Sequence, residues 1–125
     1  FNFAFEYFRN GGFGRCAFLV VSDDQEWVKD NLLSNKTNSD VFLINGPERN
    51  PHKDLALLSL CNHSIFDYGS FGLWGAVYSG GEVVTSNSYG QAHQFIVYKR
   101  FHFFDPQPDE ELITLGRYEK LNYLS

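Results

Sequence analysis

The chain is predicted to adopt an α/β fold, with short parallel strands alternating with helices to form an open sheet. Three observations predict it. Apolar runs of strand length recur at residues 16–21, 41–44, 64–68 and 82–86. The first two are apolar throughout, the pattern of a parallel strand covered on both faces. Segments with helical spacing fill the intervals, so the order reads β-α-β-α-β-α-β, which right-handed crossovers convert into a sheet of Rossmann type.

Each element has its own local reason. Residues 1–10 read as the tail of an amphipathic helix with Phe1, Ala4, Phe5 and Phe8 on one face, ended by Asn10-Gly11-Gly12. Residues 16–21 form the first strand. Ser22-Asp23-Asp24 follows, and residues 25–33 read as a helix edged by Trp27, Val28, Asn31 and Leu32, with Asp23-x-x-Glu26 as a capping box. After a polar loop, the strand at 41–44 is stopped by Asn45-Gly46-Pro47. Residues 54–61 form a helix with Leu55 and Leu58 facing inward, joined by Ile65 from the next strand, at 64–68. Residues 71–78 are helical, Gly80-Gly81 terminates them, and 82–86 is the fourth strand. Beyond Asn87 the periodicity fades: 96–104 is either a strand or an aromatic loop, and Pro106 and Pro108 bracket an acidic linker. Residues 110–124 are expected to be helical, although Gly116 weakens that segment. The chain thus divides into a Rossmann-like domain over 1–88 and a C-terminal extension over 89–125.

Composition narrows the function classes. With 125 residues, 43% hydrophobic and 20% charged, the chain is ordinary globular material for one domain at most. It opens on Phe1 without an initiator Met, in mid-element, and is expected to be a piece of a longer protein. The formal charge of −5 and scattered basic residues, with Lys99-Arg100 the only adjacent pair, argue against a nucleic-acid partner. No apolar run reaches membrane-spanning length, so any membrane attachment needs an anchor outside this piece. Cys16 and Cys61 lie in apolar contexts without metal-ligand spacing and read as buried thiols or, alternatively, a disulfide. Two Asn-x-Ser/Thr tripeptides, Asn35-Lys36-Thr37 and Asn62-His63-Ser64, permit a secretory location. Asn35 in its polar loop reads as the better acceptor, and Asn62 as partly buried. The polar-flanked aromatics Tyr89, Phe95, Tyr98, Phe101, Phe103 and Phe104 read as a surface for a partner or a sugar ring.

In open α/β sheets, ligands bind outside the carboxyl ends of the strands. Ser22-Asp23-Asp24, the loop before Asp54, and Gly69-Ser70-Phe71-Gly72 all fall there. The last combines glycines for close backbone approach, a hydroxyl, and a helix N-terminus whose dipole contributes about 0.3–1 kcal/mol towards an anion. The same turn also suits a helix capped by Ser70 with no ligand. Asp23 and Asp24 can cap the following helix, hold a metal or meet a ribose. A metal lacks a third ligand in sequence. Asp54 is either an N-cap or a carboxylate for a guanine edge. His63 reads as structural, and His52, His93 and His102 show no partner spacing. No G-x-S-x-G, P-loop, H-E-x-x-H or G-x-G-x-x-G motif occurs.

VVSDDQEWVKDNL at 20–32 and KDLALLSLCNHSIFDYGSFGLWGAVYSGGEVV at 53–84 carry an aspartate, paired leucines, C-N-H-S/T-I, G-S/T-F-G-x-W and a closing G-G in order. In these motifs the chain resembles the C-terminal half of the galactoside α-1,2-L-fucosyltransferases, glycosyltransferase family 11, over roughly residues 5–88. The resemblance implies a type II Golgi membrane enzyme of GT-B-like architecture, with its lumenal Rossmann-like half holding the donor. It would transfer L-fucose from GDP-β-L-fucose to a galactoside-terminated glycan with inversion, without a metal or a further cofactor. By that likeness Asp54 meets the guanine, Ser70 with the Phe71-Gly72 backbone in the Gly69 turn meets the diphosphate, and Asp23 or Asp24 supports the donor. The family's H-x-R-R-G-D motif is absent because the chain starts downstream of it, and no general base is assigned. The rival expectations are a non-catalytic carbohydrate-binding or scaffold descendant, and a transferase for another nucleotide sugar.

Overall fold

Among the residues that the computed structural model describes (1–44, 50–67, 69–86, 99–104 and 120–121), helices alternate with short parallel strands, a mixed α/β arrangement. Contacts divide the chain into two units, Phe1–Asn50 and Pro51–Ser125. The strands form a two-stranded ladder in the first and a four-stranded sheet in the second, instead of one continuous sheet of four parallel strands. Apolar runs identify strands but do not specify their partners, because pairing is a non-local choice.

In the first unit, helix α1 (Asn2–Asn10) buries Ala4, Phe5 and Phe8, three of the four residues expected on its apolar face. Phe1 lies half exposed, edge-on to Trp27 at 6.0 Å. The Phe5 ring packs 4.7 Å from Phe18, the first residue of strand β1 (Phe18–Val20). β1 pairs in parallel with β2 (Val41–Leu43), Phe18 opposite Val41 and Val20 opposite Leu43. The expectation that both strands are covered on both faces fails here: Leu19 and Phe42 are exposed. Between the strands, α2 (Gln25–Val28) widens into a π turn over Lys29–Leu33, where the Ser34 N–H donates to the Lys29 carbonyl at 3.0 Å. Val28 and Leu32 are buried, whereas Trp27 and Asn31 face solvent. A 3₁₀ turn, Lys36–Asn38, leads into β2.

Arg9 ties this unit together. Its guanidinium forks onto both carboxylate oxygens of Asp40, with the Nε contact at 2.9 Å. It also donates to Asn38 Oδ1 at 3.1 Å and Glu6 Oε1 at 2.7 Å, and lies over the Phe5 and Phe18 rings. Buried Asn38 in turn donates to the Leu32 carbonyl at 2.9 Å. One planar cation thereby joins α1, the 3₁₀ turn and the entry to β2, a geometry that a lysine ammonium does not reproduce.

In the second unit, α3 (Pro51–Leu60) starts upstream of the expected 54–61, because proline suits the first helical position. Strand β3 (Ser64–Phe66), helix α4 (Ser70–Ser79) and strand β4 (Val83–Ser86) follow. The alternative left open at 96–104 resolves into strand β5 (Phe101–Phe104), within the segment read as the C-terminal extension. β3, β4 and β5 run parallel, and β6 (Lys120–Leu121) adds antiparallel to β5. Residues 120–121 therefore correct the helix expected over 110–124, whose remaining positions lie outside the described residues. So do Asn45-Gly46-Pro47, Tyr89, Phe95, Tyr98 and His93. Phe66, Leu73, Ala76, Val83, Phe101 and Phe103 form the core. Of the polar-flanked aromatics, Phe101, Phe103 and Phe104 are buried, so they serve packing and present no surface. β4 is buried residue after residue at Val83, Val84 and Thr85, as a central parallel strand should be.

The bond from Arg9 holds the Asp40 carboxyl below its ordinary value of 3.8. A carboxylate depressed on folding contributes stability that is whole above its unfolded value and is lost as pH falls through the folded one. Stability of the protein is therefore expected to drop below about pH 4, and Asp40→Asn should flatten that acid limb while lowering stability at neutral pH. Denaturant titrations at stepped pH check both.

Candidate functional site

The candidate site is built around the start of α4. Gly69, its N-cap, has φ +98° and ψ 149°, a backbone region essentially reserved for glycine. The Leu73 N–H returns to the Gly69 carbonyl at 3.2 Å. The N–H groups of Ser70, Phe71 and Gly72 precede the first intrahelical bond, and no described residue accepts from them. Ser70 and Phe71 are exposed. Helix α4 thus presents an open first turn, with Gly69, not Ser70, as its cap.

The other glycines of this segment serve packing. A Cβ on Gly72 would stand 2.8 Å from the Phe66 Cβ, and one on Gly75 would stand 3.0 Å from the Leu58 Cδ1. Small residues here let α4 lie directly against β3 and α3. At its far end Gly80 takes the left-handed cap conformation, φ +79°. Arg100 then donates to the carbonyls of Ala76 at 3.1 Å, Val77 at 3.0 Å and Gly81 at 2.8 Å, and its guanidinium lies 5.0 Å from the Phe101 ring centre. A cation at a helix C-terminus satisfies orphan carbonyls and complements the dipole.

Asp54 is half-buried in the first turn of α3 and is not its N-cap, since the helix begins at Pro51. Its carboxylate has no hydrogen bond or ion pair among the described residues, so it is free to accept from a ligand. Asp24 is the N-cap of α2: its Oδ1 accepts from the Trp27 N–H at 3.0 Å, while Ser22 Oγ accepts from the Asp24 N–H at 3.1 Å. The expected box on Asp23 is therefore displaced by one residue. Glu26 pairs with Lys29 at 2.9 Å instead, and Asp23 is exposed. Asp54 and residues 69–72 belong to the second unit, whereas Asp23 and Asp24 belong to the first.

Several side chains assigned no role in sequence turn out to have partners. His63 is structural, as expected, with Nδ1 accepting from the Glu82 N–H at 3.0 Å. His102, given no partner in sequence, pairs through its side chain with Glu82, the residue before β4. Arg100 stands out in sequence only as half of the adjacent pair Lys99-Arg100, and the fold shows what it caps. Thr85 Oγ1 is buried without a partner among the described residues, next to Phe66 in register near the carboxyl end of β4. Both cysteines are free thiols, and burial pushes the Cys61 thiol up, which keeps it protonated. Asn62 proves exposed where partial burial was expected. No group of three His, Cys, Asp or Glu side chains converges among the described residues.

Arg100→Ala removes three charge-assisted bonds and is expected to lower unfolding stability by about 2–3 kcal/mol. Arg100→Lys should recover only part of it, having lost the fork. Asp24→Ala should cost about 1 kcal/mol through loss of its cap, with Asp24→Asn close to neutral. Equilibrium denaturation measures each.

With this geometry in place, comparison with known proteins is direct. The profile of Glycosyl transferase family 11 matches residues 2–103, well over half of the chain. Galactoside alpha-(1,2)-fucosyltransferase 2 of Bos taurus is 39% identical over 86 residues, 69% of this chain and 24% of that protein. Galactoside alpha-(1,2)-fucosyltransferase 1 of Ateles belzebuth is 43% identical over 67 residues, 54% of this chain and 18% of the relative. The aligned part thus spans a quarter or less of the curated relatives' length. No solved structure matches. The open turn at Gly69, the aspartate in the first turn of α3 and the helices that carry them all lie within the matched span, and the chain belongs to glycosyl transferase family 11.

Proposed function

We propose that this chain is the donor-binding part of a galactoside α-1,2-L-fucosyltransferase. The enzyme transfers L-fucose from GDP-β-L-fucose to a terminal galactoside of a glycan, with inversion at the sugar carbon and without a metal. The observation that carries the proposal is the open first turn of α4, three amides and a hydroxyl with no partner among the described residues, within a chain of this family. Family membership and the relatives' names support the transferred sugar and the galactoside acceptor. Residence in the Golgi lumen is part of the same proposal. No helix among the described residues is long and apolar enough to cross a membrane.

Displacing GDP from fucose builds negative charge on the β-phosphate while the sugar takes on oxocarbenium character. Fixed amides aimed at that phosphate stabilise the charge at no cost of reorganisation. Residues 69–72 supply them, with the Ser70 hydroxyl as a further donor, and the α4 dipole acts in the same sense. Asp54, whose oxygens have no partner among the described residues, accepts the paired N–H groups of the guanine edge. Leu58, which meets Gly75, lies one helical turn after Asp54, and Gly75 lies one turn after Phe71. By the family resemblance, Asp23 or Asp24 also supports donor binding in this reading; Asp23 has an exposed carboxylate, and Asp24 keeps one oxygen not used in capping. By the family resemblance, the leaving phosphate would be neutralised by an arginine of the H-x-R-R-G-D motif, which residues 1–125 do not contain.

Calorimetric titration of the full-length enzyme should show GDP-fucose preferred over UDP-galactose, and chelation should leave transfer unchanged. Gly69→Ala strains a position that excludes a side chain and is expected to weaken GDP-fucose binding by about tenfold, or 1.4 kcal/mol. Preference for the uridine donor would remove the role given to Asp54, and fucose transfer by residues 1–125 alone would contradict the missing arginine.

A further inference from the structure

The Asn35-Lys36-Thr37 tripeptide takes no part in the donor site, and its geometry has a chemistry of its own. Asn35 Oδ1 accepts two hydrogen bonds from within the tripeptide, from the Thr37 N–H at 3.0 Å and the Thr37 hydroxyl at 2.7 Å. Both draw electron density towards the amide oxygen and leave Nδ2, which has no partner among the described residues, pointing away from that pair. All three residues are exposed. The turn is nevertheless fixed. Asn38, the next residue, is buried, donating to the Leu32 carbonyl at 2.9 Å and accepting from Arg9 at 3.1 Å.

We propose that Asn35 is an N-glycosylation site. Asn35 Nδ2 attacks the anomeric carbon of a lipid-linked pyrophosphate oligosaccharide. The new N–C bond forms as the C–O bond to phosphate breaks, the lipid pyrophosphate leaves with that electron pair, and the amide gives up one proton to base. No oxidant or reductant is needed. The transfer requires the chain to enter a secretory lumen, so the inference rests on the location proposed above. A bulky hydrophilic glycan is accommodated here because no described packing contact uses the Asn35 amide nitrogen. The second tripeptide differs. Asn62 is also exposed, but Ser64 lies in β3 with its hydroxyl bonded to Ser79 Oγ at 2.8 Å, so it does not turn back on its asparagine.

The test expresses the full-length protein in a secretory eukaryotic host, with a C-terminal tag carrying its own Asn-Gly-Thr acceptor as a reporter of lumenal entry. Peptide mapping after amidase release in heavy-oxygen water should find Asn35 converted to aspartate. Asn35→Gln and Thr37→Ala should each lose one glycan's worth of gel mobility, and Thr37→Ser should retain it. A glycosylated tag with an unmodified Asn35 would overturn the site while leaving the lumenal location intact. An unmodified tag together with an unmodified Asn35 would overturn the location, and the site with it.

Discussion

The second unit depends on how α4 is held. Its C-terminal carbonyls are gathered by the guanidinium of Arg100, delivered by the residue that leads into β5. Its middle lies against α3 through Gly75 and Leu58, and its first turn against β3 through Gly72 and Phe66. Gly69 turns the chain into the helix in a conformation that a side chain would forbid. What remains is one end of a helix whose amides are fixed in direction and have no partner among the described residues. Preorganisation of that kind lets neutral backbone groups stabilise developing charge, because nothing has to move when the charge appears. A glycine-rich segment that looks permissive in sequence is, in the fold, a set of close approaches.

The first unit is stabilised differently. Its buried apolar set is small, Ala4, Phe5, Phe8, Val28, Leu32 and Val41, and its strands each leave a residue open to solvent. Arg9 compensates by linking Asp40, Asn38 and Glu6 while stacking on two phenylalanines. A charge network at the edge of an aromatic cluster is weaker per contact than a packed core, but bidentate geometry and partial burial raise its worth above that of an exposed ion pair. It also positions the 3₁₀ turn that carries Asn35.

Local pattern explains what sequence alone revealed. The helical faces of Phe5 and Phe8, the strand at Val83–Thr85 and the glycine stop at Gly80 follow from periodicity and backbone preference, which neighbours in sequence determine. Partner choice does not. Nothing near Arg100 announces that its acceptors lie on α4, and nothing near His102 points to Glu82, because both pairs arise only once β5 has docked beside β4. The same limit applies to strand pairing: the pattern marked the strands but not the two-stranded ladder and four-stranded sheet that they form. Local detail also slipped by a residue: Asp24, not Asp23, caps α2, since both aspartates fit the pattern and only the amide of Trp27 chooses between them. The turn at 69–72 was legible as the start of a helix, while the position of Ser70 inside that helix instead of at its cap was not, because Gly69 and Ser70 are both acceptable caps.

The dependence of α4 on Arg100 also has a consequence for synthesis. The helix is complete in the emerging polypeptide long before its capping arginine leaves the ribosome, and β4 meanwhile lacks the neighbour that covers one of its edges. Until β5 arrives, the nascent domain carries an unpaired strand border beside a frayed helix, the kind of surface that chaperones shield. The geometry of the open α4 turn is thus acquired late, and a ribosome stalled short of Phe104 would release a chain that cannot hold that turn in shape.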